Sequence, residues 1–125
     1  MNGISYLFDT NAIIYFLKGD LDLYRFYNES ETISISVISC IEFLSYPNLN
    51  IDELALFENF AQEVNVFNIE FENKKLINKI VELRSMKLLK IPDTIIAAQA
   101  IDNNLTLLTR DKQFERIPEL SVISF

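Results

Sequence analysis

The amino-acid sequence predicts an α/β fold in which helices cover both faces of a parallel sheet. Three observations carry that expectation. Short apolar runs alternate with segments of helical period along the whole chain, the pattern of strands joined by crossover helices. Half of the 125 residues are hydrophobic, enough for a core at this length without disulfides or a structural metal. No repeat, linker or low-complexity segment interrupts the alternation, so residues 1–125 are read as a single domain.

The elements follow in order. Residues 4–8 are a buried-strand run, and Asp9, Thr10 and Asn11 after it are residues that favour helix N-caps. A helix through Leu17 is expected, ended by Gly19, then a short helix over 20–27. Residues 32–36 alternate as a strand, after which Val37, Ile38, Ile41, Leu44 and Ser45 recur at helical spacing until Pro47 stops them. Asn50 with Glu53 has the form of a capping box opening a helix through Val64, with Ile51, Leu54, Phe57 and Ala61 on one face. Residues 66–69 are a third strand, and 70–86 a long helix with Leu76, Ile80 and Leu83 inward. Pro92 and Asp93 start a helix rich in alanine and isoleucine that ends near Asn103 and Asn104. Strands at 106–109 and 122–125, separated by a turn over 111–117, complete the sheet.

Composition removes many chemistries. There is no histidine, which excludes imidazole-dependent serine triads and zinc protease sites. With only Gly3 and Gly19, a glycine-rich nucleotide fingerprint cannot be written. Cys40 is alone and sits among apolar neighbours, which reads as a packed thiol. No apolar stretch is long enough to span a bilayer, and residues 1–5 lack a basic n-region, so the expectation is no membrane association, no secretory leader and a cytoplasmic protein. Carboxylates with a hard divalent cation remain. Asp9, Glu42, Asp93 and Asp111 each stand where a hydrophobic segment runs out. Each has an innocent alternative: Asp9 as an N-cap, Asp93 as a cap complementing a helix dipole, Asp111 as a turn residue, Glu42 as a boundary residue reaching solvent. Asp9 and Asp111 follow strands and Asp93 starts a helix, so these three can meet at one end of a parallel sheet, where such folds bind ligands.

The net charge of −7 argues against a nucleic-acid partner, but the charge is segregated. Residues 1–69 hold ten acids against Lys18 and Arg25, whereas residues 70–125 hold nine bases against eight acids. Lys74, Lys75, Lys79, Arg84, Lys87 and Lys90 lead into Asp93, and Arg110, Lys112 and Arg116 surround Asp111. A solvated helix face explains the first group equally well.

The phrases Leu7-Phe8-Asp9-Thr10-Asn11-Ala12-Ile13-Ile14, Ile41-Glu42-Phe43-Leu44, Pro92-Asp93-Thr94-Ile95-Ile96-Ala97-Ala98 and Leu108-Thr109-Arg110-Asp111-Lys112-Gln113-Phe114 resemble the successive motifs of PIN-domain ribonucleases, in order and across the whole chain. The size resembles the VapC-type toxins of toxin–antitoxin pairs. The resemblance implies a three-layer α/β/α sandwich with a five-stranded parallel sheet, and a Mg²⁺- or Mn²⁺-dependent endoribonuclease. Its metal-binding and catalytic acids match Asp9, Glu42, Asp93 and Asp111, and Thr10, Asn11 and Thr109 match the polar residues that orient them. Many relatives carry a further acid where this chain has Gln113, which implies a weaker second metal site. A toxin also implies a VapB-like antitoxin partner and a homodimer.

The expected reaction is therefore hydrolysis of RNA phosphodiester bonds, with Lys90, Arg110 and Lys112 holding the RNA backbone. Two rivals stand beside it. Asp9 could act as the nucleophile of an aspartyl phosphotransfer enzyme, although Asn11 occupies the place where that pattern wants a second acid. A catalytically inert PIN-like module binding a protein partner is the other.

Overall fold

The structure, a computed structural model, describes residues 3–125; Met1 and Asn2, part of the segment read above for a leader, lie outside the described residues. In chain order the elements are β1 (Ser5–Phe8), α1 (Thr10–Leu17), α2 (Leu21–Glu29), β2 (Thr32–Ser36), α3 (Val37–Leu44), α4 (Ile51–Glu63), β3 (Asn65–Phe67), α5 (Lys74–Ser85), α6 (Ile91–Asp102), β4 (Thr106–Leu108) and β5 (Val122–Ile123). A 3₁₀ turn covers Lys112–Arg116. The sheet is five-stranded and parallel throughout, in the order β3-β2-β1-β4-β5, as expected.

Side-chain alternation along the strands divides the core. Tyr6 and Phe8 of β1 point to one face and Leu7 to the other, and β4 splits Leu108 from Leu107 in the same way. On the first face Ala12, Ile13 and Phe16 of α1, Leu23 of α2, and Phe57 and Phe60 of α4 close over the sheet; Phe16 lies 5.2 Å from Phe60, ring centre to ring centre. On the second, Leu76 and Leu83 of α5 and Ile96 to Ala100 of α6 do so. Helix α3 bridges both, with Phe43 on the aromatic side and Ile38 on the aliphatic side. The result is the three-layer α/β/α arrangement.

Local signals placed most element ends. Gly19 takes φ +93° after α1, a backbone that side chains with a Cβ adopt at a steric cost. The Asn50/Glu53 capping box forms in both directions. Two expectations need correction. The buried face of α4 is Phe57 and Phe60, while Ile51 is 85% exposed and Leu54 also reaches solvent; Phe60 completes an aromatic cluster that one-dimensional periodicity does not reveal. Helix α5 starts at Lys74 rather than near 70, because Asn73 accepts the Leu76 N–H and supplies the cap. Cys40 is partly buried against the aromatic face, and burial pushes its thiol pKa up, which suits a packed thiol better than a reactive one.

Candidate functional site

In the order β3-β2-β1-β4-β5 the chain winds outward from β1 through β2 to β3, then returns to pair β4 on the other side of β1. The switch point lies between β1 and β4, where the diverging connections leave a crevice at the carboxyl ends. Asp9 directly follows β1, and Thr109, Arg110 and Asp111 directly follow β4, with the Asp9 N–H donating to the Leu108 carbonyl at 3.2 Å. Helix α3 brings Glu42 over this end and the first turn of α6 brings Asp93. All four acids line one cavity of about 250 Å³, together with Thr10 and Asn11.

Each acid is held differently. Asp9 is 6% exposed; its carboxylate accepts the Ala12 N–H at 2.8 Å and a hydrogen bond from the Thr109 hydroxyl. Asp9 is thus the N-cap of α1 as well as a member of the cluster, and Thr10 and Asn11 do not take over the cap. Glu42 accepts the Thr10 hydroxyl at 2.7 Å. Asp111 accepts the Gln113 N–H at 2.9 Å and donates its own N–H to the Thr109 hydroxyl oxygen at 3.0 Å, so its turn-capping role is likewise real. Asp93 stands in the first turn of α6 but does not cap it, since Lys90 is the N-cap residue and no side chain bonds the free N–H groups there. Local capping and membership of the cluster coexist at Asp9 and Asp111 rather than excluding one another.

The electrostatics register the crowding. Burial, reinforced by Asp93 and Asp111, raises the Asp9 pKa from 3.8 to about 6 against the opposing hydrogen bonds from Thr109 and Ala12. Asp93 is also raised, first by burial, then by Asp111 and Glu42, with Lys90 opposing. Even so, among the described residues no three acids converge tightly enough to close on one ion. The arrangement is a negative cavity that Lys90 only partly offsets, not a preformed coordination cage. Its donor set fits a hard divalent cation that keeps several waters and takes only one or two carboxylates directly.

Of the polar residues singled out in the sequence, Thr10 and Thr109 orient Glu42 and Asp9, while Asn11 lines the cavity. The three basic residues separate. Lys90 stands beside Asp93 and Lys112 is exposed at the start of the 3₁₀ turn. Arg110 points elsewhere: its guanidinium lies over the rings of Tyr15 and Phe125 at 4.3 and 4.5 Å, donates to the Phe125 carbonyl, and approaches Asp20 at 3.6 Å. It ties the chain end to the α1–α2 junction. Tyr46, just past the C-cap of α3, lines the cavity and was not anticipated.

A family model described as PIN domain matches residues 6–120. No curated protein is a significant match to the chain. Among solved structures, a VapBC complex of Rickettsia felis bound to a promoter DNA fragment superposes with a TM-score of 0.82 at 24% identity, covering 98% of this chain and 99% of that one. A toxin–antitoxin complex from Klebsiella pneumoniae gives 0.77 at 28% identity over 94% and 95%. A DNA-bound VapBC from Salmonella typhimurium gives 0.80 at 21% over 97% and 98%.

Proposed function

The chain belongs to the PIN domain family, and from that premise we propose that it is a metal-dependent endoribonuclease and the toxin of a toxin–antitoxin pair. The observation that carries the reading is the meeting of Asp9, Glu42, Asp93 and Asp111, drawn from four separate segments, in one cavity at the switch point of the sheet. The four segments lie far apart in sequence, and among the described residues Lys90 beside Asp93 is the base that acts on the cluster.

In this proposal the cavity of Asp9, Glu42, Asp93 and Asp111 would hold Mg²⁺ or Mn²⁺, one or two of the acids directly and the others through its waters, and the ion when bound would supply positive charge to activate water and to offset the charge of the reacting phosphoryl group. The chain's own contribution is orientation. Thr109 and the Ala12 N–H fix the buried Asp9 carboxylate, Thr10 fixes Glu42, and the Gln113 N–H fixes Asp111. Holding each oxygen in one rotamer lowers the cost of assembling the reactive geometry around RNA. Asp93, half-buried at the start of α6, stands beside the exposed base Lys90.

The partners follow by the same reading: a VapB-like antitoxin, supported by neighbours that are toxin–antitoxin complexes, and a second copy of the chain. No helix among the described residues is long and apolar enough to cross a membrane, in keeping with the cytoplasmic location proposed. Incubation of total RNA with the protein, with Mn²⁺ or Mg²⁺ and then with chelator, tests the activity; cleavage should require the metal and be lost in Asp9→Asn. Folded protein that binds Mn²⁺ yet leaves RNA intact would instead assign it to the inert, protein-binding members of the fold.

A further inference from the structure

The basic residues of α5 are mostly spent within the molecule. Lys75 pairs with Asp102 at 3.6 Å, Lys79 with Glu82 at 2.8 Å and Glu119 at 3.0 Å, and the Lys74 ammonium sits 3.2 Å above the Phe71 ring. Those three form the solvated, internally neutralised face that the sequence left open as an alternative. Beyond them, among the described residues, Lys87 and Lys90 are exposed and have no carboxylate within ion-pair distance. Two bases without an ion pair therefore stand close together in sequence on the segment joining α5 to α6, Lys90 beside Asp93.

That segment is held rigidly. The Arg84 guanidinium donates to the Leu89 carbonyl at 3.1 Å, and the buried Thr94 hydroxyl donates to the Lys90 carbonyl at 2.8 Å. Lys87 takes φ +57° as the first residue past the C-cap of α5, a left-handed position that glycine or asparagine fills with less strain. Arg84, Lys87 and Lys90 line a cavity of about 370 Å³ together with Asp93, Asp111 and Gln113. Asp93 and Asp111 also line the carboxylate cavity, so the two hollows are neighbours that share two lining side chains.

We propose that the α5–α6 segment is a phosphate subsite, in which Lys87 and Lys90 bind a backbone phosphate of the RNA strand next to the one held at the carboxylates, while Arg84 and Thr94 fix the segment. The identity of the strand rests on the nuclease reading of the cavity. A chain of net charge −7 repels a polyanion at long range, so productive seating needs a local positive contact at the mouth of the site. Two lysines on a segment whose backbone is already held supply it, so that only their side chains need ordering on binding.

The test measures binding of a short fluorescein-labelled single-stranded RNA by anisotropy as salt is raised, with Asp9→Asn as background so that the strand stays uncut. Each phosphate contact contributes a slope of about 0.7 in log affinity against log salt for single strands. Lys87→Ala/Lys90→Ala should bind more weakly and with a slope lower by about 0.7, the share of one phosphate, while Lys74→Ala/Lys75→Ala keeps the parent slope and all variants remain folded at the assay temperature. An unchanged slope in the first pair, or an equal drop in both pairs, overturns the subsite. Wild-type protein that cleaves RNA while the slope stays unchanged removes the subsite alone. A slope that falls as expected in protein that never cleaves removes the nuclease reading and leaves the subsite.

Discussion

Replacing Asp9 by Asn should stabilise the metal-free protein at neutral pH. Asn keeps the N-cap acceptor for the Ala12 N–H, since Asn and Asp cap equally well, and it keeps the size and shape that fit a site only 6% exposed. What disappears is a buried negative charge. The folded pKa of about 6 lies above the ordinary value of 3.8, so the folded chain binds this proton more tightly than the unfolded chain. Between those two values the native state holds more protons, and stability must fall as pH rises. Below pH 3.8 the carboxyl is neutral in both states and the penalty is absent; above about 6 it is complete. At about 1.4 kcal/mol per tenfold change in proton affinity, the penalty at pH 7.5 is about 3 kcal/mol. For a chain of this length that is about 10 °C in Tm. Thermal melts followed by circular dichroism in chelator, from about pH 4 to 8, should show the variant melting higher at pH 7.5 and the two curves converging toward pH 4. Added Mn²⁺ should then raise the Tm of the wild type, by binding only the folded state, and leave Asp9→Asn unmoved. A variant less stable than wild type at pH 7.5 in chelator, or a gap independent of pH, would show that burial and crowding do not strain this carboxylate.

Three further outcomes test the fold around the site. Leu107→Ala empties a fully buried position on a central strand and should cost about 2–5 kcal/mol in urea unfolding, whereas Leu21→Ala, at 80% exposure, should cost little. Ser39 is fully buried on α3 with a hydroxyl that finds no partner among the described residues, so Ser39→Ala should be neutral or stabilising by up to about 1 kcal/mol. Arg110→Ala should lower stability by about 1 kcal/mol through loss of its ring and carbonyl contacts, yet leave the salt dependence of RNA binding unchanged; a fallen slope would return Arg110 to the RNA-contacting residues.

The strands and helices were legible because their causes are local. Apolar runs too short for helices, the Asn50/Glu53 box and the Gly19 stop are all written within a few residues of the structure they produce. Asp9, Glu42, Asp93 and Asp111 could be nominated for the same reason, each standing at the end of an apolar segment in a chain without histidine. The inward face of α4 was less legible, because burial of Phe60 depends on Phe8 and Phe16 arriving from distant segments.

By itself, then, the chain determined its element order, its parallel sheet and a short list of acids, since periodicity, capping and composition act over a turn or two of backbone. Only the tertiary structure decided which charges share a space. Strand order put Asp9 and Asp111 on neighbouring strands and drew α3 and α6 over them. It also separated bases that look alike in sequence, clasping Arg110 between two aromatic rings, pairing Lys75 and Lys79 with acids, and leaving Lys87 and Lys90 free at the edge of the carboxylate cavity. Coulombic interactions fall with distance in space, not along the chain, and those distances exist only once the chain has folded.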